Sequence, residues 1–351
     1  MSTRLYISSS SSLLEAFRQM DSAGAKLLII GSARSFEGLV SVGDIQRALV
    51  RGTPIEDTID SLPEREVAVA SPEDSMAHIK SEMLRIRAEF MPVVDKAGHV
   101  TRIHFWSDVF GATPPPPRRV LADVPVVVMA GGKGTRLRPL THVIPKPLIP
   151  IGEQSILEHI LDRFKKVGCS EFYLTVNYKA EMLRYYLDRE TDYGQAVSFV
   201  EEHQPLGTAG SLQLLANQLD RPFFVTNCDI LIDADYSEIF DYHERGGYAM
   251  TMVTSVRSHQ IPYGTVELDA QGKLISLSEK PELTYAVNAG MYVLQPDLLD
   301  RIPVDKRYDI TSLISELLAE GQSVGVFPVS EQSWRDIGVW PEYLRHKDGF
   351  S

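Results

Sequence analysis

The residues best suited to phosphate chemistry lie in one stretch, VVVMAGGKGTRLRPLT, at residues 126–141. Gly131, Gly132 and Gly134 allow positive φ and let backbone N–H groups approach an anion closely. Arg136 follows them and can hold phosphate oxygens with its planar guanidinium. The order fits neither a Walker loop, in which the lysine follows the last glycine, nor a dinucleotide fingerprint, whose third glycine is missing. The stretch therefore predicts a phosphate loop of another kind.

A second cation follows in IPKPLIPI, where Lys146 lies between Pro145 and Pro147. The two prolines fix the local backbone and remove two competing backbone donors. This setting suits a lysine held at a set position against a triphosphate. A solvated surface lysine is the alternative interpretation.

Two aspartates far apart in the chain are candidates for holding Mg²⁺. Asp229 ends the apolar run PFFVTNCDI, and a carboxylate at the end of a buried strand commonly holds this ion against phosphates. Asp336 lies in SWRDIGVW between Trp334 and Gly338, an apolar frame in which an unpaired carboxylate is costly. A shared metal would stabilise both side chains, whereas a helix N-cap is the alternative role for Asp336.

Two further motifs favour the binding of an acceptor and of a base. In SEKPELTYAVNAGMYVL, a lysine can neutralise a monophosphate, while a glutamate and an asparagine can hydrogen-bond hydroxyl groups. A glycine in IPYGTVELD permits the close approach of a ring. The predicted acceptor residues are Gly264, Glu279, Lys280 and Asn288. Gly207 in PLGTAG begins a predicted helix and can receive a flat base, and a plain N-cap by Thr208 is a compatible alternative.

Strands alternate with helices through residues 120–351, and the candidate residues follow the strands. The run SILEHILDRFKKVG has apolar residues at helical spacing and ends at Gly168. GTAGSLQLLANQL is predicted to be another helix, and PFFVTNCDILID a single strand. Repeated strand–helix–strand units predict an α/β fold with a Rossmann-like, doubly wound and mostly parallel sheet. Ligands bind beyond the carboxyl ends of such strands, where these residues can converge.

The segment GATPPPPRR, residues 111–119, is the strongest boundary signal in the chain. Four consecutive prolines cannot continue a helix or pair in a central strand, and they favour an extended spacer. A surface loop within one domain is the alternative. Because 351 residues are many for one domain, we predict an N-terminal module at 1–112, a linker at 113–123 and a catalytic domain at 124–351.

Residues 1–110 contain an internal repeat, in which Asp44 and Asp108 occupy matching positions 64 residues apart. Each copy is predicted to run from a helix through two strands to a second helix. This α/β half resembles a tandem cystathionine-β-synthase (CBS) pair, which implies dimerisation and an adenine-nucleotide site with Ser41, Asp44 and Asp108 as ligands. Phe105 stands where the second copy should carry a hydroxyl. A pair used only for packing or dimerisation is the alternative.

The motifs GGKGTRLRPLT, PKPLIPI, PLGTAG, NCDIL, EKP, VNAGMYVL and WRDIG occur in this order. Together they resemble the sugar nucleotidyltransferases, or NDP-sugar pyrophosphorylases, over residues 124–351. The resemblance implies the nucleotide-diphospho-sugar transferase fold, and a reaction of an NTP with a sugar 1-phosphate that yields an NDP-sugar and pyrophosphate. It implies Mg²⁺ held by Asp229 and Asp336. The catalytic residues it implies are Arg136, Lys146, Asp229 and Asp336. The nucleotide-binding residues it implies are Gly131, Gly132, Gly134, Thr135, Glu202 and Gly207, with Gln204 nearby. The sugar-phosphate residues it implies are Gly264, Glu279, Lys280 and Asn288.

The choice of base follows from the same resemblance. GGKGTRLRPLT followed by PLGTAGSL is most similar to guanylyltransferases that act on mannose 1-phosphate or related sugars, which favours GTP. A CBS pair ahead of such a domain resembles enzymes of bacterial surface-sugar synthesis, including the GDP-glucosamine step toward legionaminic acid. The alternatives are a thymidylyl-, uridylyl- or cytidylyltransferase, and a non-catalytic regulator that binds a nucleotide. A regulator has no need of the complete set of cations and carboxylates.

Composition limits the partners and the compartment. Lysine and arginine number 35 against 47 acidic residues, a net charge of −12, which disfavours nucleic acid and anionic membranes as partners. Two cysteines imply no disulfide framework. No apolar run reaches the roughly 18 residues of a spanning helix, and MSTRLYISSSSS lacks the pattern of a signal peptide. We therefore expect a soluble, cytoplasmic protein, and the resemblance to a CBS pair implies a homo-oligomer.

Overall fold

The computed structural model of the protein describes residues 3–63, 67–86, 88–111 and 119–349. The chain divides into two compact units, Met1–Pro117 and Arg118–Ser351. Much of the predicted proline-rich linker at 113–123 lies outside the described residues. The linker and the bounds of the two domains therefore stay predictions.

The described residues form helices and strands in both units. The α-helices are α1 (Leu13–Ala23), α2 (Val42–Val50), α3 (Met76–Ile86), α4 (Trp106–Phe110), α5 (Leu140–Val143), α6 (Ile156–Lys166), α7 (Ala180–Glu190), α8 (Gly207–Gly210), α9 (Tyr236–Gly246), α10 (Ile310–Ala319) and α11 (Trp340–His346). The strands of the first unit are β1 (Tyr6–Ile7), β2 (Leu27–Ser32), β3 (Ser35–Ser41), β4 (Phe90–Val94) and β5 (Val100–Phe105). The strands of the second unit are β6 (Val126–Met129), β7 (Pro150–Ile151), β8 (Gln154–Ser155), β9 (Phe172–Val176), β10 (Val197–Glu201), β11 (Phe223–Asn227), β12 (Ile230–Ile232), β13 (Met250–Gln260), β14 (Thr265–Leu268), β15 (Leu274–Ser278), β16 (Glu282–Leu294), β17 (Val324–Val329) and β18 (Trp334–Asp336).

The second unit is built on a seven-stranded sheet in the order β10-β9-β6-β11-β16-β13-β17. Within it, β16 is antiparallel to both of its neighbours, and the other pairings are parallel. Val126 and Val128 of β6 pack in one core, whereas Val127 packs in a second core on the opposite face. Helices α6, α7 and α9 contribute to the first core and α10 to the second. The prediction of a mostly parallel α/β sheet is confirmed.

Helix α6 shows how local sequence sets an element. The Ser155 hydroxyl accepts a hydrogen bond from the Glu158 N–H, and the Glu158 carboxylate accepts one from the Ser155 N–H, which is a capping box. The apolar residues Ile156, Ile160 and Phe164 are buried in the core below. A polar start and an apolar stripe thus seat the helix on the sheet.

Two predicted elements differ in the structure. The helix predicted at GTAGSLQLLANQL is only the short α8 followed by a 3-10 helix, Ser211–Leu215. The backbone N–H groups of Ala209 and Gly210 donate to the Tyr308 carbonyl, so another chain segment competes with the helical bonds. The single strand predicted at PFFVTNCDILID is divided into β11 and β12 by a turn, which contains Asp229.

The first unit repeats one arrangement. The order helix, strand, strand, helix occurs in α1-β2-β3-α2 and again in α3-β4-β5-α4. A parallel pairing of Tyr6 with Ile29 recurs 64 residues later between Ala70 and Val93. Residues of both copies, including Ile29 and Phe90, share a core cluster. The two copies thus pack together, while the assignment to the CBS family stays a prediction.

The predicted CBS ligands take part in local contacts. Ser41 and Asp44 form the capping box of α2, and Arg47 contacts the Asp44 carboxylate at 2.5 Å. Asp108 lies in the first turn of α4, whose N-cap, Phe105, makes no capping hydrogen bond with its side chain. A ligand role for these residues stays a prediction. In neither unit do the described residues include a helix long and apolar enough to cross a membrane.

His243 of α9 is buried between polar partners. Its Nε2 lies 3.1 Å from the Gln295 amide nitrogen, and its Nδ1 lies 2.9 Å from the Thr251 hydroxyl. Because the amide nitrogen can only donate, Nε2 accepts and Nδ1 carries the proton. Burial lowers the pKa of His243 to about 4, against a small opposite effect of Glu244.

We expect His243 to make the second unit less stable in acid. Because its folded-state pKa lies below the value of the unfolded chain, the free energy of unfolding falls as the pH drops from 6.5 toward 4. The loss from this residue should be about 2 kcal/mol between pH 7 and pH 5. Urea unfolding of the wild type and of His243→Gln, each at both pH values, measures it. An equal pH dependence in the two proteins would contradict the assignment.

Candidate functional site

The glycine loop connects β6 to a 3-10 helix, Thr135–Leu137, and packs tightly on the segment that follows it. Gly134 has φ +60°, and a Cβ there would lie 2.9 Å from Thr141 Cγ2 and 3.1 Å from Lys146 Cβ. The Thr141 hydroxyl also donates to the Gly134 carbonyl at 2.9 Å. Only glycine satisfies both the backbone angle and the close approach. The loop is thereby fixed next to Lys146.

Lys146 reaches from this segment to Asp229, which directly follows β11 and Cys228. It begins a 3-10 helix, Lys146–Leu148, directly after the buried Pro145. Its Nζ donates a hydrogen bond to Asp229 Oδ2, and the two side chains are only 11% and 6% exposed. Because Lys146 is not solvated, the interpretation as a surface lysine is wrong.

The pairing of β12 with β18 brings the two predicted metal ligands together. Ile230, the residue after Asp229, is the register partner of Asp336. The Ile337 N–H donates to the Asp229 carbonyl at 2.9 Å, which extends the pairing by one residue. Asp336 therefore ends a strand, and its interpretation as a helix N-cap is wrong, since the N-cap of α11 is Val339.

Arg136 lies across both carboxylates. Its guanidinium nitrogens are 3.6 Å from Asp229 Oδ2 and 3.5 Å from Asp336 Oδ2, while the side chain remains 58% exposed. Burial and the negative charge of Asp229 raise the pKa of Asp336, and Arg136 and Lys146 act in the opposite direction. Two cations thus face two carboxylates at one point on the sheet edge.

The donor set suits a magnesium ion. Mg²⁺ in nucleotide enzymes is commonly bound by one or two carboxylates and by substrate phosphates. Asp229 and Asp336 supply two such carboxylates. The described ranges contain no group of three or more His, Cys, Asp or Glu side chains arranged around a metal, so phosphate oxygens and water would complete the coordination.

Gly338 is a site residue that sequence reasoning did not assign. Its N–H donates to Asp336 Oδ1 at 2.9 Å. A Cβ at this position would lie 2.2 Å from Asp229 Oδ2 and 2.6 Å from Lys146 Nζ. Because Gly338 has no side chain, the space beside it can hold the ion pair of Lys146 and Asp229. The glycine two residues after Asp336 in WRDIG was the available signal.

Glu202 occupies the other side of the glycine loop. It is 8% exposed, and its Oε2 accepts a hydrogen bond from the Leu206 N–H at 3.1 Å. A Cβ on Gly131 would lie 2.2 Å from Glu202 Oε1, so the loop backbone passes directly over this carboxyl. Burial raises the pKa of Glu202, and the bond from Leu206 partly offsets that effect. Gly132 and Thr135, in the same glycine loop, remain exposed to solvent.

Gly207 packs against the chain rather than facing an open surface. It has φ +83°, and a Cβ would lie 2.7 Å from both Asp309 Oδ1 and the Tyr308 carbonyl oxygen. The Thr208 hydroxyl accepts from the Ile310 N–H at the start of α10, so the alternative role of Thr208 as the cap of its own helix is wrong. Gln204 donates to the Asp305 carbonyl at 2.9 Å. A role of this segment in base binding stays a prediction.

The predicted acceptor residues lie on the arm that strands β13 to β16 form, residues 250–294. A Cβ on Gly264 would lie 2.8 Å from Glu279 Oε2, so these two are neighbours. Asn288 Oδ1 accepts from the Gly290 N–H at 2.9 Å. Gly290 in turn packs on the Asn227 side chain at the end of β11, two residues before Asp229. Lys280 is exposed and has φ +48°. Contacts of backbone and side chain thus connect Asn288 to the carboxylate side.

Comparison with known proteins shows which family the second unit resembles. The model of the nucleotidyl transferase family matches residues 125–349. A mannose-1-phosphate guanyltransferase of Debaryomyces hansenii is 33% identical over 226 residues, and a probable mannose-1-phosphate guanylyltransferase 1 of Oryza sativa is 36% identical over 228 residues. Each alignment covers 62% of this chain and 62% of the relative, so the chain matches less than two thirds of their length.

A solved structure adds support for the fold alone. A putative glucose-1-phosphate thymidylyltransferase from Bacillus anthracis, in complex with a sucrose, superposes with a TM-score of 0.52 and 18% identity. The match covers 64% of this chain and 94% of that one. Since the family model spans well over half of the residues, the chain belongs to the nucleotidyl transferase family.

Proposed function

We propose that this protein is a sugar-1-phosphate nucleotidyltransferase that forms an NDP-sugar and pyrophosphate from an NTP and a sugar 1-phosphate. The observation that carries the proposal is the cluster of Lys146, Arg136, Asp229 and Asp336 beside the glycine loop. Two cations and two carboxylates that converge beside the glycine loop suit phosphoryl chemistry better than simple nucleotide binding.

The reaction must overcome the repulsion between two anions. An oxygen of the sugar phosphate attacks the α-phosphorus in line, a new P–O bond forms, and the bond to the departing pyrophosphate breaks. Lys146 and Arg136 offset the charge of the triphosphate, and the loop amides around Gly132 bind its oxygens. Mg²⁺ held by Asp229 and Asp336 would neutralise further charge when bound. Because phosphate is both nucleophile and leaving group, the reaction needs no protein nucleophile.

GTP is the nucleotide that we favour. The relatives described above are named as guanylyltransferases of mannose 1-phosphate, which supports guanine and a hexose 1-phosphate. Guanine offers two adjacent donors, N1–H and the exocyclic amine, and a carboxylate can accept from both. Glu202 is the buried carboxyl nearest to the loop backbone at Gly131. Uracil and thymine present a single N–H between two carbonyls and therefore suit a carboxylate less well.

The N-terminal unit would serve this enzyme as a regulatory or assembly module. Its two copies share one core, as a tandem pair does. An adenine nucleotide at Ser41, Asp44 and Asp108, a homo-oligomeric state and a bacterial surface-sugar pathway are parts of the same proposal.

Pyrophosphate release tests the reaction class directly. GTP, UTP, dTTP, CTP and ATP are each combined with a panel of hexose 1-phosphates, and we expect the highest turnover with GTP. Asp229→Asn should reduce turnover by on the order of 10²-fold or more, because a metal ligand and the partner of Lys146 are both changed. The exposed Asp220→Asn is the control. Inactivity of the wild type with every pair would overturn the proposal.

Glu202→Gln tests the choice of base. The amide keeps the size of the side chain but replaces one acceptor with a donor. We expect kcat/KM for GTP to fall by about tenfold to a hundredfold, while the value for UTP falls less or rises. An equal fall in kcat/KM for GTP and UTP would indicate that Glu202 supports the loop and does not contact the base.

Gly338→Ala tests the space around the ion pair. The added methyl would meet Asp229 Oδ2 and Lys146 Nζ well inside contact distance, so we expect kcat/KM to fall at least about tenfold. Gly38→Ala is the matched control, because its Cβ would find only an ordinary contact at 3.5 Å to Ile30. Wild-type turnover by Gly338→Ala would show that the ion pair does not occupy this position during the reaction.

A further inference from the structure

The segment Asn177–Lys179, which follows β9, contacts the chain between the glycine loop and Lys146. Lys179 Nζ donates to the His142 carbonyl at 2.7 Å and to the Val143 carbonyl at 2.6 Å. The neighbouring Tyr178 hydroxyl donates to the Thr141 carbonyl at 3.3 Å. Two adjacent side chains thus bind three successive carbonyls of one short segment.

Those three carbonyls belong to the C-terminal part of the short helix α5. The last carbonyls of a helix have no partner within the helix, and a cation at that end satisfies them and complements the helix dipole. The side chain of Val143 is 71% exposed and that of His142 is also exposed. Backbone contacts rather than side-chain burial therefore hold positions 142 and 143.

The held segment is directly connected to the phosphate-side residues. Thr141, one residue earlier, donates through its hydroxyl to the Gly134 carbonyl and packs against Gly134. Lys146 is three residues after Val143, and a Cβ on Gly134 would lie 3.1 Å from Lys146 Cβ. A shift of the 141–143 backbone would move the glycine loop and Lys146 together.

Two properties of Lys179 separate it from an ordinary surface lysine. It has φ +56°, a conformation that costs free energy for a residue with a side chain and persists where the surroundings require it. Its side chain is also half-buried, with its ammonium group 5.2 Å from the centre of the Tyr178 ring. The same segment reaches the base side, because Asn177 Nδ2 donates to the Glu202 carbonyl at 2.7 Å.

We propose that Lys179 is a positioning residue for the nucleotide half of the site. Its two hydrogen bonds fix the backbone between the glycine loop and Lys146, so that the loop amides and the Lys146 ammonium meet the same triphosphate. The kinetic part of this inference rests on the proposed transferase function, whereas the structural part does not.

Lys179→Met removes the ammonium group that makes both hydrogen bonds and keeps much of the aliphatic side chain. Lys179→Arg keeps a cation with several donors, and Lys166→Met removes an exposed lysine of α6 as the charge control. Amide hydrogen exchange and thermal unfolding are measured for each protein, and with them kcat and KM for GTP and for the sugar 1-phosphate.

We expect Lys179→Met to exchange faster across residues 134–148 and to keep the melting temperature of the wild type. Its kcat/KM for GTP should fall by about tenfold to a hundredfold, with KM for the sugar 1-phosphate unchanged, because a small misplacement of reacting groups is costly. Lys179→Arg should restore most of both properties, and Lys166→Met should match the wild type.

Unchanged exchange in Lys179→Met would overturn the proposal, as would equal defects in the Met and Arg variants. A fall in melting temperature with equal losses for both substrates would assign Lys179 a purely structural role and also overturn it. If the wild type transfers no nucleotide, the transferase function fails, and the exchange data still decide whether Lys179 holds the segment.

Discussion

The contact between Lys146 and Asp229 is the interaction on which the site depends. Both side chains are almost fully buried, and a buried charge without its partner is strongly destabilising. The glycine loop, Gly338 and the turn between β11 and β12 all pack around this pair. Each of these parts is therefore constrained by the need to keep the lysine and the carboxylate together, without filling the space beside them.

Arg136 differs from Lys146 in a way that matters for substrate. It faces both carboxylates at about 3.5 Å and remains largely exposed, so solvent screens its interactions and the side chain is free to turn toward an anion. The buried lysine and the exposed arginine thus differ in mobility. Lys146 is held in place by its bond to Asp229, whereas Arg136 has room to change its orientation.

Much of the site was predictable because its residues follow buried strands or stand in tight glycine and proline motifs. Asp229 and Arg136 are examples, since strand direction alone places them at one edge. The pairing of Ile230 with Asp336 was not predictable, because these short strands are a hundred residues apart and have no distinctive pattern. Lys179 was missed for another reason. Its partners are backbone carbonyls, and every residue has one, so the sequence gives no sign of the contact.

Strand β16 runs against the direction of its neighbours in the sheet, so it reaches the candidate site from the opposite direction. The parallel strands place candidate residues after their carboxyl ends, whereas Asn288 precedes the part of β16 that pairs with β11. Strands β13 and β16 pair along their length, and the chain between them forms β14 and β15. Strands β14 and β15 pair with each other in a separate two-stranded sheet, so a change in the length of this outer hairpin would leave the register of the seven-stranded sheet intact.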